Sequence, residues 1–478
     1  MTSVAEAIAR LGDLAASPTV AALADAFVAG GAELALVGGP VRDAFLGRPI
    51  TDLDFTTDAR PERILQLVEP IAETTWDVGR RFGTIAARIR GVEVEITTYR
   101  ADAYDGGSRK PEVRFGDSLD DDLQRRDFTI NAMALRLPQR VLVDPWGGFE
   151  HLLARRITTP GPPELSFGDD PLRMMRAARF TSQLGFGVDE TTVAAMTAMA
   201  GRLQIVSVER IADELLKLLR TEDPVPGIRL LVHTGIAELV LPEVPALRLE
   251  IDEHAHHKDV YEHSLTVLRQ AIDLERVRDD VQSPDAVLRL AALLHDIGKP
   301  ATRRIERGGT VTFHHHDVVG AKLAKKRLRA LKLDNETIAS VSRLIELHLR
   351  FFGYSDGAWT DSAVRRYVRD AGELLPRLHI LTRADVTTRN RRKAARLAGA
   401  YDELEQRIAA LAAEEELASI RPDLDGEQIM RILGIRPGPE VGEAYRMLLE
   451  LRLDEGPLGA AEAESRLLAW WATRNPAG

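Results

Sequence analysis

Asp52 and Asp54, in the segment ITDLDF, carry the strongest chemical signal in the chain. On a β-strand the period of two points both carboxylates to one face and Leu53 to the core. Carboxylates held so close repel each other unless a cation lies between them, and Mg2+ is bound by one or two carboxylates together with substrate phosphates. Just upstream, LALVGGPVRDAFL reads as a buried strand at 34–37, broken by Gly38 and Gly39, with a helix from Pro40 to about Leu46. Backbone N–H groups at such a helix start can cradle a phosphate. Arg42, in the first turn, is placed to add a cation or to brace that turn. Paired carboxylates behind a phosphate-binding turn are what two-metal phosphoryl or nucleotidyl transfer requires. A third carboxylate is expected on a neighbouring strand. In GVEVEITTYR, Val92, Val94 and Ile96 share one face and leave Glu93, Glu95 and Thr97 on the other. Periodicity alone does not choose between the two glutamates.

A second concentration of chemistry lies further on, where nine of the twelve histidines fall between His254 and His348. The chain has no cysteine. Clustered imidazoles without thiolates point to a divalent metal held by nitrogen and oxygen ligands. His295 and Asp296 are adjacent, follow an apolar helix and precede Ile-Gly-Lys.

These residues need two kinds of scaffold. The first 160 residues read as mixed α/β, with a second strand at 53–57 and a hairpin formed by 84–90 and 92–99 around Gly91. From Asp169 onward, segments such as PLRMMRAARFTSQLGF and DAVLRLAALLHDIGK carry apolar residues at helical spacing. Breaks fall at 158–166, 241–259 and 420–426. The expected organisation is an α+β head over 1–160, a helical neck and body over 161–250, a histidine-bearing helical domain over 251–400 and a helical tail over 401–478.

The absence of cysteine excludes disulfides and thiolate zinc sites and suits a reducing cytoplasm. No apolar run reaches the roughly 20 residues that span a bilayer, so no membrane role is expected. A net charge of −10 argues against nonspecific coating of nucleic acid, while basic stretches at Lys322 (KLAKKRLRALK) and Arg389 (RNRRKAAR) leave room for local RNA contacts.

With G-G-x-V-R-D ahead of D-x-D and E-I-T-T-Y-R behind it, the chain resembles the class II CCA-adding enzymes and bacterial poly(A) polymerases. These belong to the polymerase-β-like nucleotidyltransferase superfamily. The resemblance runs over most of the chain. It implies Mg2+ on Asp52 and Asp54, Glu95 as third catalytic carboxylate, and tRNA, ATP and CTP as partners. LQRRDFTINAMAL (123–135) resembles the ribose-recognition motif, with Arg125, Arg126 and Asp127 toward triphosphate and sugar. DPWGGFEHL resembles the hinge, at Gly147 and Gly148. GDDPLRMMRAARF resembles the base-reading neck helix, in which Asp170 and Arg173, three apart, would meet the base edge. Asp169 stands where the family usually has Glu. Arg176 and Arg179 would extend a basic face toward the acceptor end. VSVERIADELLKLL resembles a bracing helix, and 104–116 resembles a mobile basic loop. His263, the His295-Asp296 pair and Asp385 resemble the ligand set of the HD phosphohydrolases, which bind a divalent transition metal. His316 and His348 are candidates for a second metal or a substrate phosphate, and His254, His256 and His257 have no assigned role. The stretch from Ile420 resembles the tail of HD-bearing relatives. Poly(A) addition, CC-only addition, or an HD phosphohydrolase with a nucleotide-binding front domain are the alternatives. GRRF (79–82) faintly echoes the poly(A) signature.

Overall fold

The computed structural model describes residues 3–474, except 78, 101–114, 117, 249–258, 308, 352–359, 388–389 and 415–419. Nearly all of the expected mobile loop, together with His254, His256, His257 and Arg389, lies outside the described residues. The chain divides into two compact units, Met1–Pro242 and Glu243–Gly478.

In the first unit a seven-stranded sheet comprises β1 (Leu34–Val37), β2 (Leu53–Thr57), β3 (Thr74–Trp76), β4 (Thr84–Ile89), β5 (Val92–Thr98), β6 (Ala134–Leu137) and β7 (Val141–Val143), in the order β3-β4-β5-β2-β1-β6-β7. Only β2 and β5 pair in parallel. The hairpin β4–β5 turns at Gly91, whose φ of 78° suits a residue without a Cβ. The helix Gly39–Leu46 starts at Gly38, also in a positive-φ conformation (77°), and stops at left-handed Gly47. Behind the sheet an all-helical bundle is centred on Leu172–Leu184, which packs against Val208–Leu219 and Val225–His233. Its apolar face presents Met174, Met175, Ala178 and Phe180, all buried.

The second unit is helical apart from a two-stranded ribbon, Arg304–Ile305 with Val311–Thr312. Helices Val260–Glu275 and Ala286–Leu294 pack on each other, and both touch Leu375–Ala384. His316–Ala330 lies against Asn335–Leu347. Aspartate caps begin several of these helices: Asp259 accepts from Tyr261 N, Asp285 from Leu288 N and Asp334 from Thr337 N. The final helices close on Leu424, Ile429, Leu448 and Leu467. No single helix among the described residues is long and apolar enough to cross a membrane.

Candidate functional site

The strand register assembles the front site. β2 and β5 run parallel with Asp54 directly opposite Glu95, and Asp52 sits just before β2. The three carboxylates line one open cleft of about 500 Å3, together with Trp76 and Glu93. The register supplies a choice that periodicity could not. Glu93 is ion-paired to Arg88 on β4, while Glu95 stands beside Asp54. Burial raises the pKa of Asp54 to about 6, and the neighbouring Glu95 and Asp52 push the same way against Arg126 and Arg42. A carboxyl so strained between like charges is suited to a dication.

The cations near this cleft are held by a residue that sequence reasoning missed. Asp122, almost fully buried, accepts from Arg126 Nη2 (3.1 Å), Arg125 Nε (3.3 Å), Thr56 Oγ1 (3.1 Å) and the Arg100 backbone N–H (3.3 Å). It thus ties β2 and the end of β5 to both arginines. Burial would raise its pKa, but Arg126 and Arg125 hold it below the ordinary value. The signal was present in LDDDLQRRD, where Asp122 precedes the two arginines by three and four residues. Arg126 Nη1 comes so close to Gly38 that a Cβ there would lie 3.3 Å from it, which places this guanidinium at the glycine turn.

Other expected ligand contacts are made internally. Arg42 is buried. It donates to Asn131 Oδ1 (2.7 Å) and through two bonds to Asp43 (2.8 and 2.9 Å), so it braces the turn. Asp127 accepts from Asn131 Nδ2 (3.0 Å), from its neighbour Phe128 N (2.8 Å) and from Arg176 Nε (2.8 Å). Arg179 binds Glu214 (2.7 Å) and Gln183 (2.8 Å) and stacks over Phe180. Arg176 therefore ties the bundle to the head and Arg179 ties two bundle helices together, and they do not form a free basic face. The reason is local: each faces a buried carboxylate, which needs a cation. Asp170 and Arg173 do not share a helix face. Pro171 interrupts the chain, and Asp170 is an extended residue between Pro163–Asp169 and Leu172–Leu184. Asp170 Oδ2 pairs with Arg210 (2.7 Å), while Arg173 donates to Ser166 Oγ (2.8 Å) and to the Arg125 carbonyl (2.5 Å). At the expected hinge, Asp144 caps Gly148 N (2.7 Å) and Phe149 N (2.9 Å), and a Cβ on Gly148 would meet Thr129 O at 2.3 Å. This is a tightly packed turn.

Two tests arise here. Asp122→Asn frees both arginines, and losing charge-assisted bonds of about 1.5–3 kcal/mol should raise the KM for nucleoside triphosphate roughly tenfold or more. Because Asp122 positions and does not touch substrate, kcat should move less than KM; an unchanged KM contradicts the role. The second test concerns acid. Although burial opposes it, Arg176 and Asn131 bring the Asp127 carboxyl to about 2. A depressed carboxyl adds stability above its unfolded pKa and loses it as pH falls. On the order of 2 kcal/mol should therefore vanish between roughly pH 4 and pH 2. Urea titrations should show Asp127→Asn less stable at pH 7 and less acid-sensitive over that window. Parallel pH profiles for the two proteins would contradict this.

In the second unit the expected ligands converge from five helices or their C-terminal ends. His263 Nε2 lies 2.9 Å from Asp385 Oδ1 and 3.3 Å from His295 Nε2. His295 Nε2 is 3.2 Å from Asp296 Oδ2, and His316 Nε2 is 3.2 Å from Asp296 Oδ1. Every Nδ1 is anchored: His295 to Ala292 O (2.9 Å), His316 to Phe313 O (2.8 Å), His348 to Ile345 O (2.6 Å) and His263 to Thr387 Oγ1 (3.0 Å). Anchoring Nδ1 turns each Nε2 inward, which is how metal-binding histidines are held; although burial opposes it, Asp296 and Asp385 raise the His295 pKa to about 10, so that ring carries a charge. His348 Nε2 is buried with no hydrogen-bond partner. Burial and the charge on His295 lower the His348 pKa to about 4, so the ring stays neutral and its lone pair is available. Two triads result, His263–His295–Asp385 and Asp296–His316–His348. Asp296 offers one oxygen toward each, and Lys299 Nζ caps it at 2.6 Å. Gly298 explains the Ile-Gly-Lys that follows: a Cβ there would meet His316 O at 2.1 Å, so only glycine lets the His316 helix approach.

A mixed sheet with paired carboxylates behind a glycine turn, on a chain that also carries an HD helical unit, defines an HD-bearing nucleotidyltransferase. Family models agree: the poly(A) polymerase head domain matches residues 34–158, the RNA and SrmB-binding region of polymerase A matches 185–247, and the HD domain matches 260–390. The A-adding tRNA nucleotidyltransferase of Deinococcus radiodurans is 36% identical over 455 residues, covering 92% of this chain and 96% of that protein. The CC-adding tRNA nucleotidyltransferase of Thermus thermophilus is 32% identical over 446 residues, covering 91% and 93%. The crystal structure of the Bacillus stearothermophilus CCA-adding enzyme in complex with CTP superposes with a TM-score of 0.69 at 26% identity, covering 96% of this chain and 98% of that one. The chain belongs to the tRNA nucleotidyltransferase and poly(A) polymerase family.

Proposed function

We propose that the chain transfers nucleotides from CTP and ATP to the 3′ end of tRNA and so builds CCA. The placement of Asp54 opposite Glu95, beside Asp52 and behind the Gly38 turn, carries this reading. Asp52, Asp54 and Glu95 would hold Mg2+, which when bound neutralises phosphate charge and favours the ionised 3′-hydroxyl. That hydroxyl attacks the α-phosphorus, one P–O bond forms, and the bond to pyrophosphate breaks. The backbone N–H of Gly39 and the Arg126 guanidinium orient the triphosphate, the Gly38 N–H being spent on the Met133 carbonyl (3.2 Å), and Asp122 keeps Arg126 and Arg125 in place. Asp127 holds the sugar-side wall through Arg176 and Asn131. Asp170 and Arg173 are our candidates for reading the base, each exchanging an internal partner for the base edge. Unmatched polar groups dominate such selectivity. Arg173→Ala should therefore blur the choice among CTP, ATP, UTP and GTP more than it weakens triphosphate binding, and unchanged selectivity would remove it from that role.

A specific observation favours a second reading, partial addition. The two relatives above that match nearly the whole chain are named for adding A alone and CC alone. Acceptor tRNAs ending before the first C, after it, and after the second C, each given one triphosphate, separate the cases. Full CCA addition requires C onto the first two acceptors and A onto the third.

In the second unit His263, His295, Asp296 and Asp385, with His316 and His348, fit a divalent transition metal. The donor set of imidazole and carboxylate favours Mn, Fe, Co, Ni or Zn over Ca. Bound there, the metal would polarise a phosphoester and activate water. We assign this centre to phosphoester hydrolysis, including 2′,3′-cyclic phosphates, which block the 3′-hydroxyl that the front site needs.

A further inference from the structure

The basic segment that starts at Lys322 has no part in either site. We infer that the outer face of the helix His316–Ala330 docks a single RNA strand and leads its phosphate-bearing end to the histidine–aspartate centre. The inference rests on the phosphoesterase reading of that centre.

Lys325, Lys326 and Arg329 lie three, four and seven residues after Lys322, which puts all four on one helix face. All four are exposed, and none has an ion-pair partner among the described residues. Arg327, between them in sequence, lies on another side and is held by Glu243 at 2.9 and 3.0 Å. In a chain of net charge −10, four adjacent unneutralised cations form a local positive track that attracts a polyanion.

The track is fixed relative to the centre because both belong to one helix. His316, at its start, puts Nε2 3.2 Å from Asp296 Oδ1. At 1.5 Å per residue, Lys322 lies about 9 Å and Arg329 about 20 Å along the axis from His316. His314 and His315, both exposed, immediately precede His316. The helix's other face, Gly320, Ala324 and Leu328, is buried, and the helix packs against Asn335–Leu347.

This burial decides the partner. A membrane-bound amphipathic helix needs a free apolar face beside its cations, and here that face is already covered by protein. A mononucleotide at the centre gains nothing from charges 9–20 Å away, by the same helix geometry. A strand with regularly spaced phosphates reaches all four.

The test uses the full chain with K322Q, K325Q, K326Q and R329Q combined; glutamine keeps helix propensity while removing charge. Substrates are an oligoribonucleotide ending in a 2′,3′-cyclic phosphate and the matching cyclic mononucleotide. The oligonucleotide KM should rise about tenfold or more, and its log–log salt dependence should become shallower by roughly 3, at about 0.7 per lost phosphate contact. Kinetics on the mononucleotide should stay unchanged. An unchanged oligonucleotide KM, or an equal loss on both substrates, overturns the track. If wild-type protein cleaves neither substrate, the phosphoesterase reading has failed, and fluorescence anisotropy of the labelled oligonucleotide decides docking by itself. Weaker binding with a shallower salt slope then upholds docking, and identical binding overturns it. Loss of affinity for phosphatidylserine vesicles with RNA affinity intact would also overturn it.

Discussion

Asp54→Asn, and likewise Asp52→Ala, should lower nucleotide incorporation by on the order of a thousandfold or more, because bound metal supplies several kcal/mol of transition-state stabilisation and each 1.36 kcal/mol is tenfold. tRNA binding should persist, since neither residue lies on a basic surface. The Asp54 variant has a second signature. Burial, Glu95 and Asp52 lift its carboxyl to about 6. A carboxyl whose folded pKa is raised penalises the folded state as pH rises from its unfolded value toward 6, and the full cost persists above that. In metal-free buffer at pH 7.5, Asp54→Asn should therefore melt at a higher temperature than wild type while being inactive. Loss of activity with equal or lower stability would mean that Asp54 is a structural residue and not a charge held ready for a cation.

The second large effect separates the two units. His295→Ala combined with Asp296→Ala should abolish metal retention in the second unit and reduce phosphoester hydrolysis to background. CCA addition to intact acceptors should continue at the wild-type rate, because the carboxylates of the front cleft belong to the other compact unit. Removing Asp296 also leaves Lys299 without its buried partner, so the more conservative His348→Gln serves as control. It keeps the volume of a neutral side chain and should cut metal affinity by roughly ten- to a hundredfold. Full metal content in both variants would contradict the assignment. Wild-type hydrolysis without any bound metal would contradict it as well.

The sequence made some of this legible and not the rest, for physical reasons. The strands carrying Asp54 and Glu95 show in the alternation of ITDLDFTT and GVEVEITT, since each buries one face. Strands β3, β6 and β7 are short or sit at the sheet edge, and three or four residues are too few for a period to appear. The placement of Glu95 opposite Asp54 needed the parallel register, a nonlocal fact. The helical spacing of Asp170 and Arg173 misled because Pro171 ends one helix and begins the next, so the i, i+3 rule applied across a break. Arg176 and Arg179 read as a basic face because their carboxylate partners are supplied by folding: Asp127 and Glu214 lie far along the chain. Asp122 was hidden among neighbouring acids, and its burial and its spacing to both arginines together single it out. The histidine–aspartate cluster was legible because His295-Asp296 is an unusual pair to follow an apolar helix, and the side chains around it converge.

One measurement bears most directly on the front site. A tRNA ending before the first C is incubated with wild-type protein, Mg2+ and all four triphosphates, and its 3′ ends are sequenced. The added residues should be drawn from C and A in the order C, C, A, and growth should then stop. CC-only addition would leave C, C alone. No extension at all, or open-ended growth of A, would contradict the assignment.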